Sequence, residues 1–197
     1  ELMRRTARAQ LLYASATTEG GVGGDLRNSI CAVVTDGDQP SLEKDATTIS
    51  YAPYADAILA TARRHPEAPS SDQVLFALMK DQYTLEQTSV WDTLGMRGTC
   101  SDGWVLRGRA PAEQILPKPF ADIAAQSMLA TSHLLWSAVW SGIASDAVAR
   151  AGAFVRGAAR KTPNVTPPGA QRLAEATLNL QAMRSAIVSA VEQYEAA

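Results

Sequence analysis

The chain changes character once, near Phe120, and that change limits what it can fold into. From residue 121 to residue 160 no proline interrupts a run rich in Ala, Leu, Val and Trp. Without a proline every residue can keep its backbone hydrogen bond to the preceding turn, so the run predicts one long helix. Its small residues, among them Ala130, Ser137, Ala138, Ser141, Gly142 and Ala144, let a neighbouring helix approach closely. Lys161-Thr162-Pro163 ends it, and a proline-rich loop follows over residues 163–169. Residues 170–194 predict a second helix, with Leu173, Leu180, Met183, Ile187, Val191 and Tyr194 on one apolar stripe. Two antiparallel helices cannot bury two such faces alone; further helices or a partner subunit are needed.

Before Phe120 the pattern is different. Short β-rich runs at residues 29–35, 57–62, 74–79 and 104–107 alternate with turn residues such as Asp36-Gly37-Asp38. That spacing predicts an antiparallel barrel or sandwich. Residues 2–10 read as the end of a helix, with Arg4, Arg5 and Arg8 on its exposed sides. The fold class expected is α+β: the end of a helical domain (1–10), an antiparallel β-barrel domain (11–120) and the start of an antiparallel helical bundle (121–197).

Composition narrows the function classes. A hydrophobic content of 46% suits a real core, and 18 basic against 20 acidic residues leave no nucleic-acid footprint or membrane-surface patch. Cys31 and Cys100 are far apart and form no metal-ligand set with His65 and His133, so reduced or buried thiols are expected. No apolar run approaches the roughly 18 residues that would span a bilayer. The first residues lack the apolar stretch of a signal peptide, so a bacterial cytoplasm is expected.

Three segments could carry chemistry. In Thr17-Thr18-Glu19-Gly20-Gly21-Val22-Gly23-Gly24-Asp25, four glycines in five positions allow positive φ and close approach to a ligand. The segment lacks the Gly-Lys-Ser/Thr ending of a phosphate loop, and an ordinary glycine-rich loop is the alternative. Thr47-Thr48-Ile49-Ser50-Tyr51 reads as a strand on which Thr48 and Ser50 point the same way, or as a half-exposed edge. Gly95 and Gly98 bracket a turn that presents Arg97, either to a ligand or to an internal carboxylate.

The order of these segments matters more than any one of them. A Thr-Glu-Gly-Gly-x-Gly-Gly-Asp loop, Thr-Thr-Ile-Ser, Ala-Asp-x-Ile-Leu at Ala55 to Leu59, Leu-Gly-Met-Arg-Gly-Thr, Pro-Ala-Glu-x-Ile-Leu at Pro111 to Leu116, and Arg160-Lys161-Thr162 follow in sequence. In that order they resemble the acyl-CoA dehydrogenase family over essentially the whole chain. The resemblance implies the family's middle β-barrel and the first two helices of its C-terminal bundle, cut short at both ends.

The resemblance implies FAD as cofactor, with Thr17, Thr18, Thr48, Ile49 and Ser50 beside the flavin. Ser50 stands where a hydroxyl bonds flavin N5; a donor there would fix the ring. Gly23 matches the stretch close to FAD. Gly24 and Ser132 are implied on the thioester side, although many relatives carry serine where Gly24 stands. Thr48 replaces a flanking tryptophan. Arg160 and Thr162 match a helix end that reaches the ADP half of FAD in a neighbouring subunit, but Pro163-Asn164 replaces the usual Phe-Gly. The family's carboxylate base has an alternative position that falls at Leu134, beside His133, and leucine cannot act as a base. Leu135 stands where relatives often carry arginine.

The implied activity is α,β-dehydrogenation of an acyl-CoA, with electron-transfer flavoprotein or a similar acceptor as partner and a dimer or tetramer as assembly. The base would lie outside the chain, leaving this piece inactive alone. The alternatives are a catalytically degenerate subunit of a hetero-oligomer and a flavin monooxygenase or nitroalkane-oxidase-like enzyme of the same fold.

Overall fold

The computed structural model describes residues 2–196. The chain forms two compact units that divide between Ile123 and Ala124.

The first unit begins with a short helix, α1 (Leu2–Ala9), whose arginines are all exposed, and continues through seven strands. These are β1 (Tyr13–Ala16), β2 (Val34–Thr35), β3 (Pro40–Ala46), β4 (Ala57–Arg63), β5 (Gln73–Met79), β6 (Tyr83–Ser89) and β7 (Gly103–Arg109). Hydrogen bonding sorts them into two sheets, β1-β4-β5 and β2-β3-β7-β6. Among the described residues no closed barrel is found. One pairing also departs from the antiparallel expectation: β1 runs parallel to β4, with Tyr13 opposite Ala57 and Ala16 opposite Ala60.

The strand β5, Gln-Val-Leu-Phe-Ala-Leu-Met, is buried at every position, as a continuous apolar run requires. The strand β3 instead alternates: Pro40, Leu42, Lys44 and Ala46 point inward, and Glu43 and Asp45 outward. At the exposed edge, β6 keeps only Tyr83 and Leu85 against the core. Both sheets contribute to one core that includes Leu42, Ile49, Ile58, Phe76, Leu78 and Leu106. Where β7 crosses β5, a Cβ on Gly108 would fall inside the Leu78 side chain, so only glycine permits that approach. A short helix, α2 (Phe120–Ile123), buries Phe120 and closes this unit.

The second unit opens on a π-helical turn over Ala124–Met128 and continues as α3 (Leu129–Lys161) and α4 (Ala170–Ala196). The single helix expected from residue 121 is therefore divided by this turn. Thr131 meets Tyr194 and Ser145 meets Arg184, which makes α3 and α4 antiparallel. Gly152 is buried, and Leu173, Leu180, Met183 and Ile187 face inward as the stripe requires; Val191 and Tyr194 stay exposed. The outer surface retains Leu135, Trp136, Val139, Trp140, Ile143, Phe154 and Leu178. Trp136 and Trp140, one turn apart, lie with ring centroids 6.0 Å apart. Among the described residues no helix is long and apolar enough to cross a membrane.

Candidate functional site

Three loops of the first unit meet beyond the strand ends: the glycine-rich segment after β1, the segment after β3, and the turn before β7. Their meeting is built from side-chain hydroxyls. The Thr18 hydroxyl donates to the Thr48 carbonyl at 2.7 Å and accepts from the Thr48 N–H at 3.2 Å. The Ser50 and Ser101 hydroxyls lie 2.8 Å apart, and Ser101 lies 2.8 Å from that of Thr99. Backbone bonds brace the same junction: Ile49 N–H donates to the Asp102 carbonyl, and Tyr51 N–H to the Thr99 carbonyl. Tyr51, Met96 and Cys100 all adopt positive φ there, between 45° and 55°. Such backbone is costly for non-glycine residues and persists only where its surroundings fix it.

The structure corrects the reading of residues 47–51. They form no strand; the chain bends after β3 and enters a 3₁₀ turn at Ala52–Tyr54. The sheet alternation proposed for Thr48 and Ser50 therefore does not apply. Each hydroxyl is set by its own partner, Thr18 for one and Ser101 for the other. Ile49 is fully buried in the core, main chain included, and its N–H is taken by the Asp102 carbonyl.

Thr17 and Thr18 are half-buried, whereas Gly23 and Gly24 are exposed at φ +63° and +84°, with nothing within 4 Å of where a Cβ would stand. Ser132, Arg160 and Thr162 lie in the second unit. Ser132 donates to the Leu129 carbonyl near the start of α3; the Thr162 hydroxyl caps the Ala158 carbonyl at its end. Roughly 40 Å of helix separates these two places, at 1.5 Å per residue. The two places therefore cannot meet at one point within this unit. Leu134 lines an apolar cleft between α3 and α4 with Ser137, Met183 and Ile187; His133 is exposed at its edge. Arg97 is taken by Asp92 at 2.9 Å and by the Thr93 carbonyl at 2.7 Å, the internal alternative for that arginine.

Sequence reasoning missed the residue that anchors the glycine-rich loop. Glu19 turns inward and accepts from the Ser29 hydroxyl at 2.7 Å, from the Ile30 and Cys31 N–H groups, and from Lys44 Nζ at 3.0 Å. Lys44 is fully buried on the inner face of β3, and its ammonium also donates to the carbonyl and hydroxyl of Thr61 on β4. Burial would raise the Glu19 pKa, but the Ser29 hydroxyl, the Lys44 charge and the Cys31 amide outweigh it and hold the carboxyl below its ordinary value. A charged residue at an inward strand position was the available signal. It was concealed because Glu43-Lys44-Asp45 reads as a surface run.

Neither a protein-family model nor a curated protein matches the chain. Solved structures do. An acyl-CoA dehydrogenase from Geobacillus kaustophilus superposes with a TM-score of 0.77 at 20% identity, over 98% of this chain and 53% of that one. A glutaryl-CoA dehydrogenase from Mycobacterium smegmatis gives 0.71 at 18% identity, over 98% and 49%. A structure described as an FAD-dependent dehydrogenase gives 0.70 at 16% identity, over 97% and 53%. This chain spans about half the length of those structures and has the fold of that half.

Proposed function

We propose that this chain is the flavin-facing part of an FAD-dependent acyl-CoA dehydrogenase, a protein that removes hydrogens from the α and β carbons of an acyl thioester. The observation that carries the reading is the junction of three loops through Thr18–Thr48 and Ser50–Ser101–Thr99, in a fold shared with acyl-CoA dehydrogenases. Two features support the fit of a flavin. Gly23 and Gly24 are exposed with open space where a side chain would stand, so their backbone is free for close approach. The half-buried hydroxyls of Thr17, Thr48 and Ser50 are neutral groups of the kind that match alternating donors and acceptors on a heterocycle.

Bound FAD would supply the hydride acceptor. The chain's own residues would bind and orient it. The backbone of 17–18, 48 and 50 would border the ring, and the Thr18–Thr48 bonds would hold those two segments at a fixed separation. Gly24 would face the thioester. Arg160 would meet the phosphates of the ADP half in a neighbouring copy, where a guanidinium can bond a phosphate through two donors. The exposed apolar surface of α3 and α4 supports assembly into a dimer or tetramer. An electron-transfer flavoprotein or similar acceptor would reoxidise the cofactor.

A second reading, a catalytically degenerate subunit of a hetero-oligomer, is favoured by Leu134. Leucine has no group that can take a proton from the substrate α carbon, and among the described residues no carboxylate stands beside it in the cleft, only the exposed His133. The test is the visible spectrum of the purified protein, followed during addition of acyl-CoAs of different chain length. Flavin absorbance that bleaches with thioester supports the dehydrogenase. Flavin that does not bleach until a sister subunit is added supports the degenerate subunit. A protein that takes up no FAD under any condition refutes the dehydrogenase reading, and activity that then appears only with a sister subunit supports the degenerate subunit.

A further inference from the structure

The hydroxyl line behind Ser50 has a direction. A hydroxyl carries one proton and two lone pairs. Thr99 donates its proton to the Met96 carbonyl at 2.8 Å, and a carbonyl can only accept. The 2.8 Å contact between Thr99 and Ser101 is then a hydrogen bond only if Ser101 is the donor. Ser101 has thereby spent its own proton, so the 2.8 Å contact between Ser50 and Ser101 requires Ser50 to donate. One arrangement of protons makes all three bonds, and it leaves Ser50 Oγ with lone pairs alone for anything beyond it.

We infer that Thr99 and Ser101 are positioning residues that turn Ser50 into a hydrogen-bond acceptor, so that this edge of the site selects a ring N–H. This rests on the flavin reading and changes one part of it, since the sequence resemblance implied a donor at Ser50. An acceptor favours the reduced flavin, which carries a proton at N5, over the oxidised flavin, which offers a lone pair there. The terminus of the line is well fixed. The Met96 carbonyl also accepts from Trp91 Nε1 at 2.9 Å and from the Thr99 N–H at 3.2 Å, and Met96 itself is held at φ 55°. Ser101 is 7% exposed, so water has little access to replace its bonds.

The line can be tested with and without the cofactor. In the full chain loaded with FAD, the ratio of affinities for reduced and oxidised flavin is read as the midpoint potential. Ser101→Ala releases the Ser50 proton, and the preference for the reduced form should fall roughly fivefold, the worth of one hydrogen bond. For a two-electron couple that is about 20 mV downward. Ser101→Thr keeps a hydroxyl and should restore the potential, and adding Ser50→Ala to Ser101→Ala should change it no further. A Ser101→Ala protein whose potential stays at the wild-type value, or rises, overturns the inference. Neutron diffraction from deuterium-exchanged crystals needs no flavin. Deuterium on Ser50 Oγ directed at Ser101, on Ser101 directed at Thr99, and on Thr99 directed at the Met96 carbonyl would establish the polarity. The reverse order would refute it. If the deuterium order is found but the chain takes up no FAD, the flavin reading fails and the polarity of the line stands.

Discussion

Replacing Lys44 with methionine should strongly destabilise the first unit. Lys44 is fully buried and its ammonium bonds Glu19 at 3.0 Å; the Glu19 side chain is 6% exposed. Methionine fills most of the space but removes the countercharge, leaving a carboxylate in the interior with only Ser29, Ile30 and Cys31 as donors. Breaking a buried pair in this way costs about 3–5 kcal/mol. The pH dependence should change as well. In the wild type the Glu19 pKa lies below its ordinary 4.5 in the folded state. A depressed carboxyl contributes stability above the unfolded-state pKa and loses it as pH falls through the folded-state value. Without Lys44 two of the contributions that lower the Glu19 pKa are gone while the burial that raises it remains, so the pKa should rise from its wild-type position. The substituted protein should then lose the least relative to wild type at low pH, where Glu19 can be neutral. Urea unfolding followed by circular dichroism at neutral pH and near pH 4.5 checks both points. The double change Lys44→Met with Glu19→Gln should be less damaging than the sum of the single changes, because it leaves no lone buried charge. A loss at neutral pH below about 1 kcal/mol, within the range of an exposed pair, would refute the assignment.

Further outcomes follow from the same contacts. Thr18→Val removes both bonds to Thr48 and should cost about 1–2 kcal/mol by chemical unfolding, while weakening FAD uptake measured by fluorescence titration. Gly108→Ala places a methyl group inside Leu78 and should cost about 1–3 kcal/mol; combined with Leu78→Ala it should cost less than the sum, because the added and removed volumes offset. Burial pushes the Cys31 thiol up to about 12, whereas Cys100 is partly exposed. Under mildly alkaline conditions iodoacetamide should therefore label Cys100 alone until denaturant is added, as peptide mass analysis would show.

Where pattern and environment agreed, the sequence was sufficient. The apolar runs became β4 and β5 because they are buried as such runs require, and the proline-free run became α3 because nothing in it interrupts the helical hydrogen bonds. The strands β1, β3 and β6 were not legible. Tyr-Ala-Ser-Ala is short and weakly apolar, Pro-Ser-Leu-Glu-Lys-Asp-Ala carries three consecutive charges, and Tyr-Thr-Leu-Glu-Gln-Thr-Ser lies on an exposed edge. Pairing with neighbouring strands, rather than local propensity, makes them strands. The motifs located the candidate site but not its construction. Thr48 and Ser50 were assigned to a strand because their hydroxyls alternate, yet they occupy a bend whose course is set by Thr18, Ser101 and Asp102, residues remote in sequence.

The same contrast bears on what keeps the glycine-rich loop in place. Gly23 and Gly24 provide freedom, and freedom alone costs backbone entropy without giving a ligand a defined surface. Definition comes from Glu19, just before those glycines, which ties the base of the loop to residues 29–31 and, through Lys44, to β3 and β4. The stretch 20–28 is thus bounded at its start by the Thr18 hydroxyl and the buried Glu19, and at its end by residues 29–31, which Glu19 holds, and the part between is left to adapt to a ligand. If that division holds, glycine substitutions at 23 and 24 and the charge substitution at 44 should separate experimentally. Gly23→Ala strains a positive-φ position and should chiefly weaken ligand uptake, costing about 1 kcal/mol of stability. Lys44→Met should unfold the sheet contacts first and lose the ligand as a consequence. Equal effects of both changes on stability would show that the loop and its anchor are one unit after all.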